Sequence, residues 1–216
     1  MLEPPNTFLP KGGGYEKLSV YKKATVIYDL TFHFANRFLA KGDRTVDQMV
    51  QAARSGKQNI AEGSAASTTS SETELKLMNV ARASMKELLV DYEDYLRVRS
   101  LTLWDIHDER AARTRSFCSK HTEVADYTQD LDRRSDEAIA NIVITLLHQF
   151  DSMMGKLLER LQKDFTEQGG IRERMTAARL GYRSGQKEEI ARLTHENEAL
   201  RARIAELERQ LRERGQ

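Results

Sequence analysis

Residues 139–165 read IANIVITLLHQFDSMMGKLLERLQKDF, and the spacing of their apolar side chains decides the fold. Ile139, Val143, Leu146, Phe150, Met153, Leu157, Leu161 and Phe165 recur at intervals of three or four. A helix turns once in about 3.6 residues, so this spacing lines one face of a long amphipathic helix; a half-buried strand would alternate strictly. Gly169-Gly170 closes the run, because glycine takes the left-handed conformation cheaply. Such an apolar face must be covered by other helices.

The covering helices are legible upstream. Between Tyr15 and Leu39, Val20, Ala24, Ile27, Phe34 and Phe38 form a stripe that Tyr21, Tyr28 and Phe32 widen, and Lys41-Gly42-Asp43 ends it. Thr45-Val46-Asp47-Gln48 has the form of a capping box. Val46, Met49, Ala53, Gly56 and Ile60 follow at helical spacing, and the small Ala53 and Gly56 invite a close neighbour. Gly63 reads as the stop, and Ser64–Ser70 as a loop before a second box, Ser71-Glu72-Thr73-Glu74. Leu75, Met78, Ala81, Met85, Leu88, Tyr92 and Leu96 mark a third helix reaching about Ser100. Thr102–Arg134 carries little pattern; Thr102 is the expected cap of a helix holding Trp104 and Ile106. Four long amphipathic helices joined largely by short loops predict an all-α, up-and-down four-helix bundle.

A second pattern follows a basic stretch, Ile171–Lys187, that Gly181 and Ser184-Gly185 are expected to interrupt. Ile190, Leu193, Asn197, Leu200, Ile204, Leu207 and Leu211 alternate intervals of three and four. With Ile190 at position a, the a layers are Ile, Asn, Ile and Leu, and every d is Leu. This combination favours a parallel two-stranded coiled coil, with the Asn fixing register. In a parallel pair Glu196 faces the partner's Arg201, and Arg203 its Glu208. An antiparallel pair instead sets Asn197 against an apolar residue and leaves its amide unpaired. The expected organisation is a flexible lead over 1–14, a bundle core over 15–100, a region over 101–183 that completes or extends it, and a leucine zipper over 186–214.

Composition agrees with helix. The three prolines, Pro4, Pro5 and Pro10, all precede Lys11, whereas charged residues make up 31% of the chain. The net charge is +1, with 14 Lys/Arg against 12 Asp/Glu in residues 1–100, 9 against 13 in 101–170 and 11 against 8 in 171–216. No segment is basic enough to name a nucleic-acid surface by charge alone. A single cysteine, Cys118, excludes an intrachain disulfide framework. The first residues are not a secretory signal, and the most apolar run, Ala138–Leu147, is too short to span a bilayer. A cytoplasmic protein with no membrane partner is expected.

Val46–Gly63, containing DQMVQAARSGKQNIAEG, resembles the core motif of a bacterial four-helix-bundle family. Its members are encoded in ribosomal RNA intervening sequences or serve as accessory variability proteins of retroelements. Ala81–Leu88 is similar to the family's second motif and Leu18–Ala24 to its opening; residues 126–183 resemble the suffix domain of a subset. The resemblance implies a ring-like homo-oligomer, pentameric in characterised relatives, with no enzyme activity and, for some members, nucleic-acid binding beside a reverse transcriptase. It marks Asn59, Glu62, Gly63, Ser84 and Glu87 as motif positions, whose plain reading is structural.

No catalytic motif, cofactor loop or four-ligand metal set is present; Cys118 and His121 form a C-x-x-H pair without a second pair. Neither a cofactor nor a metal is expected. Arg54 with Lys57, and Arg82 with Lys86, each share a helix face and are the candidate phosphate contacts. Two readings stay open: a homo-oligomeric accessory factor that binds RNA or DNA beside a reverse transcriptase or mobile element, and an oligomeric scaffold that binds only protein.

Overall fold

The computed structural model describes residues 14–214, and every regular element among them is helical. The chain divides at Gly170 into a compact helical unit and one long helix. Apart from Gly14, the expected lead over 1–14 lies outside the described residues.

In the compact unit a single 3-10 turn, Tyr15–Lys17, precedes α1, Ser19–Phe38. Val20, Ala24, Ile27 and Phe34 are buried, as the stripe predicts, whereas Phe32, expected to widen it, is exposed. The chain turns at Gly42, whose φ of 91° suits glycine. Helix α2, Arg44–Ala66, is capped by Asp43, whose carboxylate accepts from the Thr45 amide at 2.9 Å. The cap therefore lies two residues before the Thr45 box: an aspartate in extended conformation reaches the free amide first.

Gly63 does not stop α2. It sits inside the helix, where a Cβ would lie 3.2 Å from Met78 Cε and 3.3 Å from Leu77 Cβ. Its role is to let α3, Ser71–Val98, approach, as Gly56 does further up. At Gly56 a Cβ would lie 2.6 Å from Met85 Cε. The α3 cap is Ser70, accepting from the Thr73 amide at 3.1 Å, one residue before the expected box. Gly56 opposite Met85 and Gly63 opposite Met78 show that α2 and α3 run antiparallel.

Ser100, at φ 52°, ends the turn after α3. The helix expected to follow Thr102 does not form. Asn141, 3% exposed on α6 (Asp136–Gln168), accepts from the Trp104 amide at 2.8 Å and donates to Thr102 O at 2.8 Å. Those bonds hold the segment open and explain an asparagine inside the most apolar run of the chain. Helix α4, Glu109–Lys120, starts at the Asp108 cap; the one-turn α5, Ala125–Thr128, and a 3-10 turn, Leu131–Arg133, lead to the Ser135 cap of α6. Gly169, at φ 70°, closes α6 where the sequence places the stop.

Helices α1, α2, α3 and α6 each pack on two of the others: α1 on α2 and α6, and α3 on α2 and α6, while α4 lies on α6. Arg82 meets Asp151 and Tyr95 meets Asp136, so α3 and α6 are antiparallel. Tyr92, fully buried on α3, donates to Thr31 Oγ1 of α1 at 3.1 Å, and Phe34 packs edge-on to Tyr95 at 4.7 Å. That hydrogen bond lets the Tyr92 hydroxyl and Thr31 sit inside an apolar core.

The second unit is α7, Ile171–Arg214, 44 residues of unbroken helix. The interruption expected at Gly181 and Ser184-Gly185 is absent. A glycine in a helix interior costs only about 1 kcal/mol and keeps its backbone hydrogen bond, so good helix formers on both sides carry the helix through. Among the described residues no helix is long and apolar enough to cross a membrane.

Candidate association surface

The four candidate phosphate contacts do not form one patch. Arg82 is held by Asp151 of α6 through two bonds, Nε to Oδ1 at 2.6 Å and Nη2 to Oδ2 at 3.1 Å, and Lys86 Nζ stands 3.7 Å from the same carboxylate. The Arg82 guanidinium accordingly keeps the Asp151 carboxyl below the usual carboxylate range. Lys57 lies with its ammonium 4.2 Å over the Tyr28 ring of α1. Lys57 thus serves the seam between α1 and α2, and Arg82 and Lys86 serve the seam between α3 and α6. These seams lie on opposite sides of the core. Arg54 is exposed on α2.

Of the five motif positions, Asn59, Gly63 and Ser84 make contacts within or between helices. Asn59 donates to its own helix at Ser55 O, 2.8 Å away. Ser55 and Ser84 share a hydrogen bond of 2.9 Å across α2 and α3, so Ser84 is a polar contact between those helices. Gly63 provides the close approach already described. Glu62 and Glu87 are exposed. Cys118 and His121 do not converge: Cys118 is fully buried, while the His121 ring stacks on Phe117 at 4.0 Å.

A residue that sequence reading passed over is Lys23. It is 3% exposed, and its Nζ donates to Cys118 O and to Gln149 Oε1, both at 2.8 Å. Gln149 in turn donates to Arg115 O at 3.0 Å, so α1, α4 and α6 are joined at one polar node. The ammonium bonds the Cys118 carbonyl in the last turn of α4, where the helix dipole favours positive charge. The available signal was position: Lys23 lies three residues after Val20 and four before Ile27, on the buried stripe.

A row of exposed aliphatic side chains lies along α7. Ile190, Leu193, Leu200, Ile204, Leu207 and Leu211 are 42–70% exposed, all on one face of the helix. Asn197 on the same face is exposed and bonds its own helix at Leu193 O, 3.0 Å. Among the described residues, Glu196, Arg201, Arg203 and Glu208 make no ion pair within the chain. Other charges do pair along the helix, Arg192 with Glu189 at 2.7 Å and Arg209 with Glu206 at 3.0 Å.

No family model, curated protein or solved structure matches this chain. The compact unit uses its buried polar groups to join helices to one another, whereas α7 displays six large aliphatic side chains to solvent along one face. Isolated exposed hydrophobics are ordinary, but a contiguous row of them marks an interaction site.

Proposed function

We propose that this protein is a non-enzymatic, self-associating helical scaffold. In this reading α1, α2, α3 and α6 make an up-and-down four-helix bundle, and α7 pairs in parallel with α7 of a second copy. The observation that carries it is the exposed zipper face. Six aliphatic residues at a and d positions, fully removed from water, would contribute roughly 1.5–3 kcal/mol each before entropy costs, enough to make an unpaired α7 unfavourable. The g and e charges that form no ion pair along α7 are those a parallel pair matches across the interface, Glu196 with Arg201 and Arg203 with Glu208.

Light scattering on the purified chain tests this reading. A mass at or above twice 24.7 kDa is expected at micromolar concentration. Replacing Leu193, Leu200 and Leu207 by Glu should lower it to that of one chain unless the bundle also associates, as the family resemblance implies. A wild-type mass of one chain would overturn the proposal.

The second reading, a nucleic-acid-binding accessory factor beside a reverse transcriptase, draws on that resemblance. One feature of α7 also favours it: the helix runs unbroken from Arg179, Arg183 and Lys187 into the zipper. Against it, Lys57 and the Arg82–Lys86 pair face opposite sides, and Arg82 is already neutralised by Asp151. A salt-dependent affinity for structured RNA or single-stranded DNA would move the assignment to this reading.

A further inference from the structure

We propose that the pairing surface of α7 extends beyond the zipper and runs from Met175 to Leu211 as one seam for a second copy of this chain. This rests on the parallel pairing proposed above.

Because α7 is unbroken, residues on both sides of Ser184-Gly185 share one helical phase. At about 100° per residue, Met175, Ala178, Tyr182 and Gln186 fall within about 60° of a single line that also carries every residue from Ile190 to Leu211 in the zipper face. The intervals from Met175 are three, four, four and four, then three and four in alternation. The additional four is a stutter. Met175 to Gln186 spans one eleven-residue repeat, about 3.67 residues per turn, which relaxes the left-handed supercoil of the heptads. A strict heptad scan loses the seam here, because positions a and d upstream of Gln186 fall on Thr176, Arg179 and Arg183.

Exposure supports the same line. Met175 and Tyr182 are 46% and 47% exposed, as open as Leu193 and Leu207 at 43% and 42%. Gln186 Nε2 donates to the Tyr182 hydroxyl at 3.1 Å, so the polar groups of these two seam residues bond each other along the helix. Ala178 is small enough for two backbones to approach. Leu180 is 60% exposed but lies on the far side, about 140° from Met175. The occupant is a second copy because the zipper downstream sets a parallel, in-register pair. Register held at Asn197 brings Met175, Ala178, Tyr182 and Gln186 each against its own counterpart.

Single cysteines introduced in the full chain test this, with mild oxidation and a non-reducing gel as the readout. Leu200→Cys reports the zipper, Ala178→Cys and Tyr182→Cys report the extension, and Leu180→Cys reports the opposite face. Wild type supplies the background, since Cys118 is buried. Ala178→Cys barely changes volume, so it remains informative if Tyr182→Cys folds poorly. Disulfide-linked dimers at 178, 182 and 200, with none at 180, are expected. Linkage at 200 without linkage at 178 or 182 overturns the extension and leaves the zipper standing. Failure at 200 as well overturns the zipper reading itself, and equal linkage at 180 overturns the seam.

Discussion

Lys23 Nζ donates a hydrogen bond of 2.8 Å to the carbonyl oxygen of Cys118, and both side chains are buried. The other Lys23 partner is an amide oxygen, so neither acceptor carries a full negative charge. Burial consequently pushes the ammonium down from the ordinary lysine value of 10.5, partly offset by Cys118. In the window between the depressed folded pKa and 10.5 the unfolded chain binds more protons, so the Lys23 contribution to stability rises with pH across it. Urea unfolding of wild type and Lys23→Met should show a difference, wild type minus variant, that grows from neutral pH toward 10.5. A difference independent of pH would show that Lys23 titrates normally.

Gly56 and Gly181 should respond in opposite directions to alanine. At Gly56 the added Cβ meets Met85 at 2.6 and 2.7 Å, forcing Met85 to a new rotamer in a packed core, which costs about 1–3 kcal/mol. At Gly181 nothing lies within 4 Å, and the substitution gains up to about 1 kcal/mol of helix propensity. Calorimetry should show Gly56→Ala melting lower than wild type, and circular dichroism should show no loss of helix in Gly181→Ala.

Arg82 and Asp151 should couple. Their side chains are about one-third exposed, so a double-mutant cycle to alanine is expected to give only about 1 kcal/mol. Arg82 holds the Asp151 carboxyl below its ordinary value of 3.8. The contribution is therefore present above pH 3.8 and is lost as pH falls through the depressed folded value. Zero coupling at pH 7 would mean the pair is screened out.

Asn141→Leu should free the segment that holds Trp104, the single tryptophan of the chain. The change removes the acceptor for the Trp104 amide and the donor to Thr102 O, costing about 1–3 kcal/mol for the groups left unpaired. Tryptophan emission should shift to longer wavelength while the helical signal persists. Unchanged emission would mean that other contacts hold the segment.

Asn197→Ile should raise the melting temperature of the α7 association and broaden its oligomeric states. A buried Asn layer costs stability but excludes other registers and stoichiometries. Sedimentation of the full-length variant tests this. A variant that is less stable and still uniformly dimeric would place Asn197 outside a buried a layer.

The long helices were legible because their signal is local. Val20, Ala24, Ile27 and Phe34, or Met78, Ala81, Met85 and Leu88, repeat at a period that only a helix satisfies, and all are buried. Gly42 and Gly169 were readable as turns for the same reason, since both take positive φ at the ends of such stripes. The zipper pattern was also complete in the sequence, and its face stands exposed on α7.

What the sequence could not supply depends on residues far apart along the chain. Gly63 has the local form of a helix stop, yet Met78 on the neighbouring helix makes it a packing position. Thr102 resembles a cap, yet Asn141 captures the following backbone before a helix can close. Arg82 reads as a free cation until Asp151 meets it from α6, and the acceptors of Lys23 come from α4 and α6, far along the chain. Helical period belongs to neighbouring residues and can be read along the chain. A side chain's hydrogen-bond partner belongs to whichever helix lies opposite, and only the packed structure decides that.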